Sequence, residues 1–164
     1  MAIRGLHHLG VSVPDLDSAV TFYTEALGFQ VILTESWTHS EVADAVIGLE
    51  GSAARGVNLW TGNAVIELFE FSAPPAALQD FDHPVADHGI NHMCLQVSDI
   101  HGEIERLEEY GMTFHSEPAG DESGWFTYGR DPWGNVIELV EPLSPEVPHL
   151  DGWEFRTLPD RTYD

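Results

Sequence analysis

A chain of 164 residues with 43% hydrophobic content can build one domain, or two small halves around a shared core. It has no apolar run near the roughly 20 residues of a membrane span. Its 28 acidic residues against six arginines and no lysine give a net charge of −22, a field that repels nucleic acid and anionic membrane surfaces.

The N-terminus, MAIRGLHHLG, shows no long apolar stretch before a small-residue cleavage site. The single cysteine, Cys94, makes an intramolecular disulfide impossible, so a reducing cytoplasm is the expected compartment. Residues 6–13 alternate as a strand. Asp15 caps a helix expected over 16–27, with Leu16, Ala19, Val20, Tyr23 and Leu27 on one face. A strand follows over 29–34. The stretch 40–50 fits either a short helix or an irregular loop. Residues 55–61 and 64–71 form a hairpin across Gly62-Asn63. APPAALQDFDHP, residues 73–84, is a linker. Then come a strand at 90–97, a helix at 100–110 and a strand at 112–116. Gly120 to Gly124 form a mobile loop able to cover a site. Strands at 125–130 and 135–141 flank the turn Asp131-Pro132-Trp133-Gly134. The tail from 143 to 164 is an extended arm.

The same plan is written twice. VIELFE at 65–70 returns as VIELVE at 136–141, 71 residues later. HLGVSVPDLDSAVTFYTEALGF begins at His8, and HMCLQVSDIHGEIERLEEYGMTF begins at His92, 84 residues later. The unequal offsets leave about 13 extra residues in the first half, between Glu35 and Asn63. The fold class is α+β: paired βαβββ modules forming an open, metal-binding barrel. The modules span 5–72 and 89–142, with a linker at 73–88.

Strand side chains alternate between faces. Leu9, Val11 and Val13 share the face that packs under the helix, and His8, Gly10 and Ser12 take the other. Met93, Leu95 and Val97 divide from His92, Cys94 and Gln96 in the same way. Glu67 and Glu138 each interrupt an apolar run, on the face opposite Ile66 and Leu68 or Ile137 and Leu139. One histidine or one glutamate on a strand is ordinarily a solvated side chain or an edge charge. Four metal-capable residues at matched places in two copies form a divalent-cation site: His8, Glu67, His92 and Glu138. Two carboxylates neutralise a 2+ ion, imidazole suits Zn, Ni, Co, Mn or Fe, and four ligands leave room for substrate. His7 is the rival donor, but it falls on the helix side and has Asn91 as its counterpart. Cys94 shares the face of His92 and is expected to be a small buried thiol, with lining of the cavity as the alternative. Trp37, Trp60 and Trp125 could line a cavity with Phe69, or pack in the core.

LHHLGVSVPDLDSAVTFYTEALGF and DPWGNVIELVEP resemble the opening and closing signatures of the vicinal oxygen chelate superfamily. It includes glyoxalase I, methylmalonyl-CoA epimerase, extradiol dioxygenases, and fosfomycin- and bleomycin-resistance proteins. The resemblance covers residues 5–142. It implies one divalent metal ion in a cavity. A four-ligand set resembles glyoxalase I, and nearly the epimerase, more than the two-His, one-Glu dioxygenases. The implied activity is that of a metal-dependent isomerase or lyase. A proton leaves a carbon beside a carbonyl, the metal stabilises the enediolate, and Glu138 or Glu67 is the base. The alternatives are an Fe(II) extradiol-type dioxygenase and a small-molecule binding or resistance protein. The expected partners are a small oxygenated substrate, rather apolar because cationic residues are few, and a second copy of the chain in a homodimer. No nucleic acid or membrane partner is expected.

Overall fold

The computed structural model describes residue 3 and residues 5–150. The chain divides into two compact units, residues 1–80 and 81–164. The fold is α+β, and each unit is a mixed sheet with its helix on one face.

The first unit opens with β1, Leu9–Ser12, followed by α1, Leu16–Thr21. Asp15 caps α1 by accepting from the Ser18 amide. The helix then widens into a π-type turn over Phe22–Ala26. The buried set is Leu16, Ala19, Phe22, Tyr23 and Ala26, a single helical face, with Val20 and Leu27 half-buried at its edge. Strand β2 is Gln30–Thr38, longer than its sequence signal. The undecided stretch is a helix, α2, Glu41–Ile47, capped by Ser40 and ended by Gly48 at φ 70°. Strands β3, Ala53–Trp60, and β4, Val65–Ala73, form the expected hairpin. The sheet order is β1-β4-β3-β2, with β1 parallel to β4. The extra chain of the first half is α2 together with the long β2–β3 pair.

The second unit has β5, Met93–Gln96, then α3, Ile100–Glu109, capped by Asp99. Next come β6, Thr113–Phe114, β7, Ala119–Asp121, β8, Gly124–Arg130, and β9, Val136–Pro142. The order is β5-β9-β8-β6, with β7 also on β8. The loop expected over Gly120 to Gly124 is instead a tight hairpin. Asp121 pairs with Gly124, and its carboxylate accepts from the Ser123 amide and hydroxyl. Asp and Ser at a turn satisfy their own backbone, which removes the slack a mobile cover needs. The β8–β9 turn is built on Asp131, which is fully buried. It accepts from the amides of Trp133 and Asn135 and from the Asn135 side chain.

In each unit the core lies between the sheet and its helix. Leu59, Leu68, Ile137 and Leu139 are essentially fully buried there. Each contributes roughly 1.5–3 kcal/mol of transfer free energy. Of the expected arm, residues 143–150 turn back along the second unit. Leu143 and Ser144 donate to the Ser123 carbonyl, and the Leu150 amide donates to the Gln96 side chain. Residues 151–164, with Trp153, Arg156 and Arg161, lie outside the described residues, as does Arg4. Among the described residues no helix is long and apolar enough to cross a membrane.

Candidate metal and proton-transfer site

The two VIELxE copies pair with their histidine strands in the same register. Gly10 lies opposite Glu67, and Cys94 lies opposite Glu138. A residue two positions earlier on each first strand is the histidine, so imidazole and carboxylate stand diagonally on one face. His8 Nε2 lies 3.1 Å from Glu67 Oε2, and His92 Nε2 lies 3.1 Å from Glu138 Oε2. The same atoms meet at the same distance in both copies.

The far ring nitrogen is held in both. His92 Nδ1 is 2.7 Å from Asn91 Oδ1, and His8 Nδ1 is 2.8 Å from His7 Nδ1. Asn91 Oδ1 can only accept, so His92 Nδ1 donates to it, and Nε2 is the ring nitrogen turned toward Glu138. This is the arrangement of a metal-ligating histidine. His7, the rival ligand in the sequence, instead orients His8, the role Asn91 plays in the other copy.

The carboxylates have their own partners. Asn58, opposite Glu67 across β3–β4, donates to Glu67 Oε1 at 3.0 Å. In the second unit Tyr128, opposite Glu138, hydrogen-bonds it and meets the His92 ring edge-on at 5.0 Å. Loss of water, and then the Glu138 charge, push the Tyr128 hydroxyl above its ordinary range. Cys94 is exposed by residue, not buried as its type suggested. Its sulfur is nonetheless half withdrawn from water beside Glu138, and that desolvation, with the carboxylate's charge, pushes the thiol up to about 12.

Two features were not legible in the sequence, and a third was legible only in part. Glu35, on β2, hydrogen-bonds Glu67 and lies in the field of His8. The shared hydrogen bond with Glu67, burial, and the Glu67 charge raise its pKa. Gly56 makes that approach possible: a Cβ there would sit 2.9 Å from Phe69 Cε1 and 3.1 Å from Glu35 Cγ. The second glutamate of each VIELxE copy has the opposite task. Three residues on from Glu67 or Glu138, it points to the helix face. Glu70 accepts from the Leu16 amide at the start of α1 and from Arg55, and Glu141 accepts from Asp99 and Ile100 at the start of α3. One short motif thus supplies a carboxylate to the open face and an anion to a helix N-terminus. The parity of the spacing was the available signal. The third feature is the aromatic patch beside Glu35. Trp37, Phe69 and Phe71 meet with ring centroids 5.7 to 6.0 Å apart.

Trp60 shares that open face at its far end, 42% exposed and paired with Val65. Trp125 does not line it. It pairs with Glu141, so its parity sends it to the helix side, where it contacts His101. Among the described residues, no group of three or more His, Cys, Asp and Glu side chains is gathered to hold a metal ion. Each unit brings two donors together. The donor chemistry of each pair, an imidazole with a pinned ring beside a carboxylate, fits a divalent ion.

Two βαβββ-type units with matched His–Glu pairs define a fold class, and comparison with known proteins agrees. Residues 5–139 match the Glyoxalase/Bleomycin resistance protein/Dioxygenase superfamily, and the chain belongs to that family. A 2-epi-5-epi-valiolone epimerase of an Actinomyces species is 31% identical over 152 residues, spanning 82% of this chain and 78% of the relative. Other relatives are methylmalonyl-CoA epimerases and lactoylglutathione lyases. A glyoxalase family protein from Bacillus cereus superposes with a TM-score of 0.78 at 27% identity, covering 88% of this chain and 99% of that one. The fosfomycin resistance protein FosX of Listeria monocytogenes, solved with Mn(II) and sulfate, shares the fold at 18% identity. Its TM-score is 0.58, with 88% of this chain and 96% of that chain covered.

Proposed function

We propose that this protein is a metal-dependent isomerase or lyase that moves a proton on a carbon beside a carbonyl, in the manner of an epimerase or of glyoxalase I. The observation that carries the reading is the duplicated His–Glu pair, identical in atoms, distance and second-partner logic. His8, Glu67, His92 and Glu138 would jointly hold one divalent ion (Zn, Ni, Co, Mn or Fe), with the two pairs supplied by one chain or by two in a dimer. When bound, the ion supplies Lewis-acid polarisation of a substrate oxygen.

The chain's own groups do the rest. Imidazole orientation is set by His7 and Asn91. Glu67 and Glu138 are the carboxylates that take and return the carbon proton. Asn58 fixes Glu67 Oε1, which leaves Oε2 as the oxygen turned toward His8. Glu35, whose pKa is raised, keeps a proton to higher pH than an ordinary glutamate and can hold it against Glu67. A fourth donor, Glu67, sets this chain apart from a two-His, one-carboxylate centre. Two epimerase relatives, each 31% identical, favour the same chemistry.

The test is deuterium wash-in. Metal-reconstituted protein in D2O should exchange the α-hydrogen of a hydroxyketone, followed by proton NMR. Chelation should stop the exchange, and Glu138→Gln should slow it by about 10²-fold or more. Loaded protein that exchanges no α-hydrogen, or that consumes O2 with a catechol, removes the reading.

A further inference from the structure

We propose that the open face of the first unit selects an uncharged substrate with an extended carbon face, and that Trp37 is the residue that sets this preference. The inference rests on the assignment of His8 and Glu67 to a cation site, because it concerns what is presented to that site. Rows of the sheet place the groups. Glu35, Gly56 and Phe69 form one row, and Trp37, Ala54 and Phe71 form the next. Glu67 lies one row to the other side, two residues before Phe69. A three-ring surface therefore adjoins two carboxyl groups on a single face.

The wall is built rather than incidental. The Trp37 indole donates from Nε1 to Ser52 Oγ at 2.8 Å. Ser52 is fully buried and donates in turn to Asp44, which also accepts from the amides of Gly51 and Ser52. Asp44 belongs to α2, a helix for which the second unit has no equivalent. The insertion thus serves to pin one indole ring. Pinned aromatic rings take the carbon face of a ligand without losing side-chain freedom on binding.

Charge decides the rest. Among the described residues of this unit, Arg55 is the sole arginine or lysine. It lies on the helix side, held by Asp17 and Glu70. Among the described residues of this unit the open face carries carboxyl groups and no cationic side chain, so a phosphate or acyl-CoA tail that extends past the ion along the aromatic wall finds no arginine or lysine to pair with. A hydroxyl or ketone meets hydrogen-bonding carboxyl groups beside an apolar wall.

The experiment uses the full metal-loaded chain and two probes, neutral 2-hydroxycyclohexanone and anionic dihydroxyacetone phosphate. Binding is read by saturation-transfer NMR and α-hydrogen exchange in D2O is read separately. The neutral probe should bind at least about tenfold more tightly, a difference of about 1.4 kcal/mol. Trp37→Leu should reduce its binding about tenfold while metal uptake stays unchanged and the protein stays folded. The exposed-site variant Glu35→Gln should narrow the gap between the probes. Preference for the phosphate, binding of neither probe, or indifference to both substitutions overturns the inference. Selective binding without exchange supports it while removing the proposed reaction, so the two failures are distinguishable.

Discussion

Replacing Glu141 by Gln tests the division of labour inside the VIELxE motif. Each Glu141 oxygen takes one helix amide: Asp99 N at 2.6 Å and Ile100 N at 3.1 Å. Gln keeps one acceptor and turns an NH2 toward the other amide, so one N–H at the start of α3 is orphaned. Ile100 is fully buried, so water does not replace an acceptor lost there, whereas the Asp99 amide is exposed and regains one from solvent. An orphaned buried donor costs about 1–3 kcal/mol. Losing a negative charge at a helix N-terminus adds about 0.3–1 kcal/mol. The expected loss is about 1–4 kcal/mol, or roughly 3–16 °C in Tm for a chain of this size. Thermal and urea unfolding followed by circular dichroism measure it, and metal titration of the folded protein should be unaffected. Glu138→Gln should do the reverse. It keeps the shape of a side chain whose partners are on the open face, so stability should hold. Metal affinity should fall at least about tenfold, the lower bound for disturbing even an outer partner of a metal site. If Glu141→Gln leaves the unfolding midpoint where it was, or weakens metal binding as Glu138→Gln does, the two-faced reading of the motif is wrong.

Glu70, the counterpart in the first unit, gives a pH signature. Arg55, followed by the Leu16 amide, holds its pKa below the ordinary 4.5, so its contribution to stability is complete above that value. The contribution is lost as pH falls through the lower folded-state value. Urea midpoints between pH 6 and 3 should therefore drop less steeply in Glu70→Gln than in the parent. Asp131→Ala strips three donors of a fully buried acceptor and should cost about 3 kcal/mol or more in urea unfolding, with Asp131→Asn intermediate. Gly56→Ala places a methyl against Phe69 and Glu35, and should cost about 1–3 kcal/mol. It should also shift the near-ultraviolet dichroism of the aromatic patch; an unchanged spectrum would mean the strand spacing is looser than described.

Much of the molecule was readable before any fold was known. The duplication, the Asp15 cap, the hairpin at Gly62-Asn63 and the faces of His8, Glu67, His92 and Glu138 follow from period and parity, which are local properties of a strand. Neighbouring residues within one element announce them. Other features depend on which strand lies beside which, and in what register. Glu35 reaches Glu67 because β2 pairs with β3 so that Glu35 falls opposite Gly56, a residue too small to keep them apart. Trp125 left the open face because its parity is counted from its pairing with Glu141, not from its own strand alone. Asn58 and Tyr128 became partners of the two glutamates through cross-strand pairing that nothing in their own segments signals. What the sequence by itself determined was which side chains could serve the site. The tertiary structure alone decided which neighbours hold them there, because register is set by contacts between residues far apart in the chain.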